Sequence, residues 1–71
     1  MSVEVKATIT GSVWKIVKAI GDRVEEYDVI MILESMKMEI PVEAPQGGKI
    51  VEFRVKEGDS VIEEDVVAIM E

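Results

Sequence analysis

Gly21-Asp22-Arg23-Val24-Glu25-Glu26-Tyr27-Asp28-Val29-Ile30-Met31-Ile32-Leu33-Glu34 returns 37 residues later as Gly58-Asp59-Ser60-Val61-Ile62-Glu63-Glu64-Asp65-Val66-Val67-Ala68-Ile69-Met70-Glu71. At the same offset Val5, Ala7 and Gly11 meet Val42, Ala44 and Gly48. Eleven identities fall within the aligned halves, where chance supplies about two or three, so the chain is an internal repeat.

Each copy reads as short strands separated by turns. Gly11, Gly48 and the pairs Gly21-Asp22 and Gly58-Asp59 punctuate stretches rich in Val and Ile. Val51, Phe53 and Val55 alternate with Glu52 and Arg54, the period of a half-buried strand. Val29 to Leu33 and Val66 to Met70 are almost unbroken apolar runs, expected to be strands covered on both faces at the centre of the core. A single copy is too small to bury an apolar face, so the two halves are expected to pack on each other. The expected fold is all-β, a pseudo-twofold sandwich or flattened barrel.

Composition agrees with one small domain. The 71 residues include no cysteine and no histidine, so the core forms without disulfides, and aromatic packing is limited to Trp14, Tyr27 and Phe53. A net charge of −7 argues against nucleic acid and anionic lipid as partners. The longest apolar run, Val29 to Leu33, is too short for a membrane span. Cytoplasmic location and a monomeric state are the default expectations.

The repeat isolates one segment. Residues 1–34 form the first copy and 38–71 the second, which leaves the link 35–37, Ser35, Met36 and Lys37, without a counterpart. Between an apolar strand and the segment beginning near Ile40, this link should be a tight hairpin, yet Met and Lys replace the Asn, Gly or Asp that such turns favour. Local rules tend to break where function demands it. Met36 and Met38 either turn inward to cap the core or stand in solvent to meet a partner, a use for which the adaptable thioether is suited. A lysine at a hairpin tip is ordinarily a solubilising charge, but this one lies in the unduplicated link between two methionines and inside Glu34 and Glu39.

The stretch Glu34-Ser35-Met36-Lys37-Met38-Glu39 resembles the attachment motif of the biotinyl/lipoyl domain family. Ala7 to Val13, Ala44 to Ile50, Gly21 to Val24 and Gly58 to Val61 resemble the family's repeated patterns, so the likeness runs through the whole chain. It implies two antiparallel sheets in a flattened barrel, with a modified lysine on a protruding hairpin. Within the family, methionines on both sides of the lysine favour biotin over lipoate, although lipoate as an alternative or second cofactor stays open. Ser35 stands where many biotin domains have Ala, Thr8 where Pro is frequent, and Tyr27 and Glu64 where Gly is common. No insertion resembles the thumb of some bacterial carrier subunits.

By this resemblance, Lys37 is the covalent attachment residue, Met36 and Met38 are flanking recognition residues, and Ser35, Glu34 and Glu39 complete the motif. The implied partners are a biotin protein ligase, a biotin carboxylase and a carboxyltransferase, with a lipoate ligase as the alternative. The amine attacks an activated acyl adenylate only when neutral, and its deprotonation falls to the ligase. The chain itself is expected to be a non-catalytic carrier: it has no His or Cys, its serines sit in no nucleophile motif, and its carboxylates lack the spacing of a calcium loop. An unmodified structural β module is the competing reading from another class.

Overall fold

Four aspartates, two per copy, organise the turns. Each accepts a hydrogen bond from the backbone N–H three residues before it: Ala19 to Asp22 and Glu25 to Asp28 at 2.9 Å, Lys56 to Asp59 at 3.0 Å and Ile62 to Asp65 at 2.9 Å. In return each aspartate's own N–H donates to the carbonyl of that same residue, at 2.9–3.1 Å. Such doubly closed turns are a recurrent use of Asp. They explain why these residues are identical in both copies.

The third residue of each turn needs positive φ, as in a type II turn. Gly21 and Gly58 meet that need at 95°, whereas Tyr27 and Glu64 adopt 75° and 80° with full side chains. A left-handed non-glycine residue costs about 1–2 kcal/mol. Both side chains are exposed and so gain little packing in return. Tyr27→Gly and Glu64→Gly are each expected to raise stability by roughly 0.5–1 kcal/mol after the added entropy of glycine in the unfolded chain is deducted. Thermal denaturation checks this, and a lowered Tm in either variant contradicts it.

Between these turns the computed structural model, which describes residues 2–71, forms eight strands: β1 Val3–Lys6, β2 Gly11–Ile16, β3 Arg23–Val24, β4 Val29–Ser35, β5 Met38–Glu43, β6 Gly48–Phe53, β7 Ser60–Val61 and β8 Val66–Met70. They make two four-stranded antiparallel sheets, ordered β1-β8-β6-β3 and β5-β4-β2-β7. The 37-residue offset carries one sheet onto the other. The sheets do not coincide with the copies, however. Each takes two strands from the first half and two from the second, so the halves interlock where the sequence suggested simple stacking. Paired backbone bonds knit the exchange: Ala7 N–H donates to Asp65 and Ala44 N–H to Asp28, both at 2.8 Å.

The core lies between the sheets. Ile30, Met31 and Leu33 of β4, Ile50 of β6, and Val67, Ala68 and Met70 of β8 are fully buried, and no polar or charged side chain among the described residues is buried with them. The apolar runs are indeed central, as expected, but a bulge accounts for much of their continuity. The register shifts at Ile30 against β5 and at Val67 against β1, so Ile30 with Met31, and Val67 with Ala68, are buried as consecutive pairs. Ile32 falls on the outer face, opposite Lys15 and Pro41, and is only half covered. The alternation read from Val51 to Val55 holds in burial, with Val51, Phe53 and Val55 half covered and Glu52 and Arg54 exposed, but the segment is not one regular strand. Val51 is the extra residue of β6, the strand ends at Phe53, and Val55 packs against the core from beyond it.

Candidate functional site

Strands β4 and β5 form the longest ladder in the molecule, running from Val29 opposite Glu43 to Ser35 opposite Met38. Only Met36 and Lys37 lie between that last pair. Both have positive φ, 52° and 65°, the signature of a type I′ turn, whose twist matches that of the flanking strands. The sequence thus puts two residues that disfavour this conformation where Asn-Gly would be relaxed. Two consecutive left-handed residues are local strain, held by the ladder beneath them.

Alternation along the ladder gives the hairpin two unlike faces. Glu34 and Glu39 are directly opposed and exposed on one face. Ser35 and Met38 are opposed on the other, following Leu33 and Ile40. Ile9, from the loop between β1 and β2, joins Ser35, Met36, Met38 and Ile40 around an open apolar depression of about 180 Å³. The sequence motif therefore resolves into an acidic side, an apolar side and a lysine at the apex between them.

Lys37 is exposed. The one ion pair among the described residues joins Arg54 to Glu52 at 3.2 Å, so neither Glu34 nor Glu39 holds the Lys37 ammonium. The two glutamates instead leave a like-charge pair beside it, mildly unfavourable to the hairpin by itself. Met36 is 92% exposed and Met38 61% exposed, which rules out the inward-capping alternative for the methionines. All six motif residues, Glu34 to Glu39, come together as the end of one hairpin. Ile9 was not singled out in the sequence reading. The signal was available, because its counterpart in the second copy is the exposed polar residue Gln46.

Gly11 sets the height of this hairpin on the sheet. A Cβ there would lie 2.5 Å from the carbonyl oxygen of Glu34 and 3.3 Å from Cβ of Ser35. Its counterpart Gly48 makes the equivalent approach to the carbonyl of Glu71, at 2.6 Å. Gly11→Ala and Gly48→Ala are therefore expected to cost similar stability, about 1–3 kcal/mol. Only Gly11→Ala displaces the strand that carries Ser35 and the turn. At a temperature where both variants are folded, Gly11→Ala should shift the backbone amide resonances of residues 35–38 far more than Gly48→Ala does. Equal shifts would show that this contact does not set the hairpin's presentation.

Comparison with known proteins places this geometry. Residues 1–70 match the biotin/lipoyl family described as biotin-requiring enzyme. A biotin/lipoyl attachment protein of Bacillus subtilis is 44% identical over 63 residues, covering 89% of this chain and 86% of the relative. A biotinylated protein TB7.3 homolog of Mycobacterium leprae is 40% identical over 70 residues, covering 99% of each. Among solved structures, the urea carboxylase of Kluyveromyces lactis contains a region that superposes with a TM-score of 0.94 at 38% identity. That match spans 100% of this chain and 6% of the carboxylase. With the repeat, the paired sheets and the lysine-tipped hairpin all in place, this chain belongs to the biotinyl/lipoyl attachment domain family.

Proposed function

We propose that Lys37 carries biotin in amide linkage and that the protein is a biotin carboxyl carrier, modified by a biotin protein ligase. The observation that supports this most directly is the type I′ turn with Met36 and Lys37 at positive φ, exposed and unpaired at the apex of the longest ladder. Strain of this kind has no use in a structural β module, for which Asn-Gly would serve better.

The residues fit the group they would hold. In the transfer, the neutral Nζ of Lys37 forms a bond to the acyl carbon of biotinyl-adenylate, AMP departs, and the amine's proton passes to a base on the ligase. Rigid strands on either side direct the amine, so the folded domain, and not the short peptide, is the substrate. The exposed thioethers of Met36 and Met38 adapt to the successive surfaces of ligase, carboxylase and transferase. Glu34 and Glu39 extend the acidic exterior that steers the domain towards basic enzyme sites. Biotin, once attached, supplies a nitrogen that accepts a carboxyl group at one active site and releases it at another. This chain's part is to hold the tether and keep its effective concentration near about millimolar. We place this work in the cytoplasm.

A second reading rests on the Bacillus relative, named for both cofactors. Lys37 would then also accept lipoate. Intact mass after separate incubations with a biotin ligase and a lipoate ligase, each with its cofactor and ATP, tests both. We expect one biotinyl increment, absent in Lys37→Arg. A lipoyl increment alone overturns the biotin reading, both increments establish a dual acceptor, and no increment with active ligases and folded protein overturns the carrier reading.

A further inference from the structure

The apolar depression beside Lys37 is unexplained by attachment alone. Its counterpart loop in the second copy, Pro45-Gln46-Gly47, places exposed Gln46 where the first copy places half-buried Ile9. The fold thus tolerates a polar residue at this position, and Ile9, which packs partly against the core, leaves its remaining surface on the depression. Its companions Met36, Met38 and Ile40 add apolar surface, and Ser35 is the one hydroxyl-bearing residue among those that line it. That hydroxyl has no hydrogen-bond partner among the described residues.

We propose that this depression is a resting site for the bicyclic ring of the biotin attached to Lys37, with Ile9, Met38 and Ile40 against its apolar sulfur-containing half and the Ser35 hydroxyl bonded to its ureido edge. The inference rests on the reading of Lys37 as a biotinyl acceptor. Three of the lining residues, Ser35, Met36 and Met38, are immediate neighbours of the attachment residue, so a flexible tether easily folds back onto them. A tether of that kind holds its ligand at about millimolar effective concentration. A site with only millimolar affinity, unnoticeable towards free biotin, is then about half filled. The ring rests on the carrier between visits to its enzymes, and on the apolar side of the hairpin, away from Glu34 and Glu39.

The test uses biotinylated protein, its single increment confirmed by intact mass, with 13C-labelled isoleucine and methionine methyl groups. Met36 and Met38 adjoin the new amide and shift for that reason alone. Ile9 and Ile40 are the diagnostic residues, the first of them distant in sequence. We expect nuclear Overhauser contacts from the biotin ring protons to the Ile9 and Ile40 methyls, and shifts of these methyls on biotinylation. The Ile40 contact and shift should be lost in Ile9→Gln, the residue the second copy uses, and all of the signals weakened in Ser35→Ala.

Complete biotinylation with the Ile9 and Ile40 methyls unmoved in the wild-type protein overturns the resting site and leaves the carrier function intact. Failure to biotinylate overturns both. Concentration-dependent shifts of the same methyls in unmodified protein assign the depression to a second copy of the chain, and overturn the proposal as well.

Discussion

Exchanging Met36 and Lys37, so that the amine stands one position earlier in the same turn, is expected to lower the rate of biotin transfer by about a hundredfold or more. The protein should remain folded and nearly as stable as before, within about 0.5 kcal/mol, because both residues are exposed and both already occupy positive φ. Composition, charge and total apolar surface are unchanged. What changes is direction: consecutive residues of a type I′ turn project from the hairpin along different lines, and the ladder that ends at Ser35 and Met38 gives them little freedom to compensate. Single-turnover transfer followed by mass, with denaturation curves for both proteins, is the measurement. Transfer at the original rate would mean that the ligase accepts any amine near the tip, and that the rigidity of the hairpin is irrelevant to recognition.

Leu33→Ala is expected to have the largest effect on folding. The side chain is completely buried, two residues before the hairpin's closing pair, in the strand at the centre of its sheet. Truncating a buried leucine costs about 2–5 kcal/mol, counting both the lost transfer energy and the cavity. A domain of this size, without disulfides, has a total stability near the low end of about 5–15 kcal/mol, so the variant should keep only about 0–3 kcal/mol and be measurably unfolded on mild heating. Circular dichroism with urea denaturation reads the loss directly. Biotin transfer should fall with the folded fraction even though Lys37 and its flanking residues are intact. A variant that is unfolded yet modified at full rate would contradict the requirement for a folded acceptor. Ile32→Ala, one residue away on the half-covered outer face, should cost much less.

How much of this was legible beforehand depends on the distance over which each feature is determined. The turns at Gly21-Asp22 and Gly58-Asp59 were readable because their chemistry is local, a glycine at positive φ followed by an aspartate closing the turn on residues three positions back. The related turns at Asp28 and Asp65 were signalled more weakly, by the charged pairs Glu25-Glu26 and Glu63-Glu64, since Tyr27 and Glu64 stand where the turn calls for glycine. Their repeated aspartates were a further signal. Coverage on both faces holds for β8, where Val67 to Met70 are all buried, but not for β4, where the bulge at Ile30 turns two neighbours inward and leaves Ile32 half covered; an unbroken apolar run looks the same in either case. Interlocking of the halves was also out of reach, since the pairing partners of Ala7 and Ala44 lie in the opposite copy.

By itself the sequence determined that the chain is a duplicated all-β unit, that Ser35, Met36 and Lys37 form its unduplicated link, and that the link is a hairpin with unsuitable residues. These follow from periodicity, turn chemistry and a comparison of the chain with itself, all of which are linear in the sequence. Only the tertiary structure decided that each sheet is shared between the copies, that Gly11 lets β2 approach the carbonyl of Glu34, and that Ile9 completes an apolar face beside Lys37. The physical reason is that side-chain alternation assigns residues to a face, but cannot name what another part of the chain will bring to that face. Such contacts are set by the packing of the two sheets, which brings Ile9 to the side of a lysine 28 residues further along the chain.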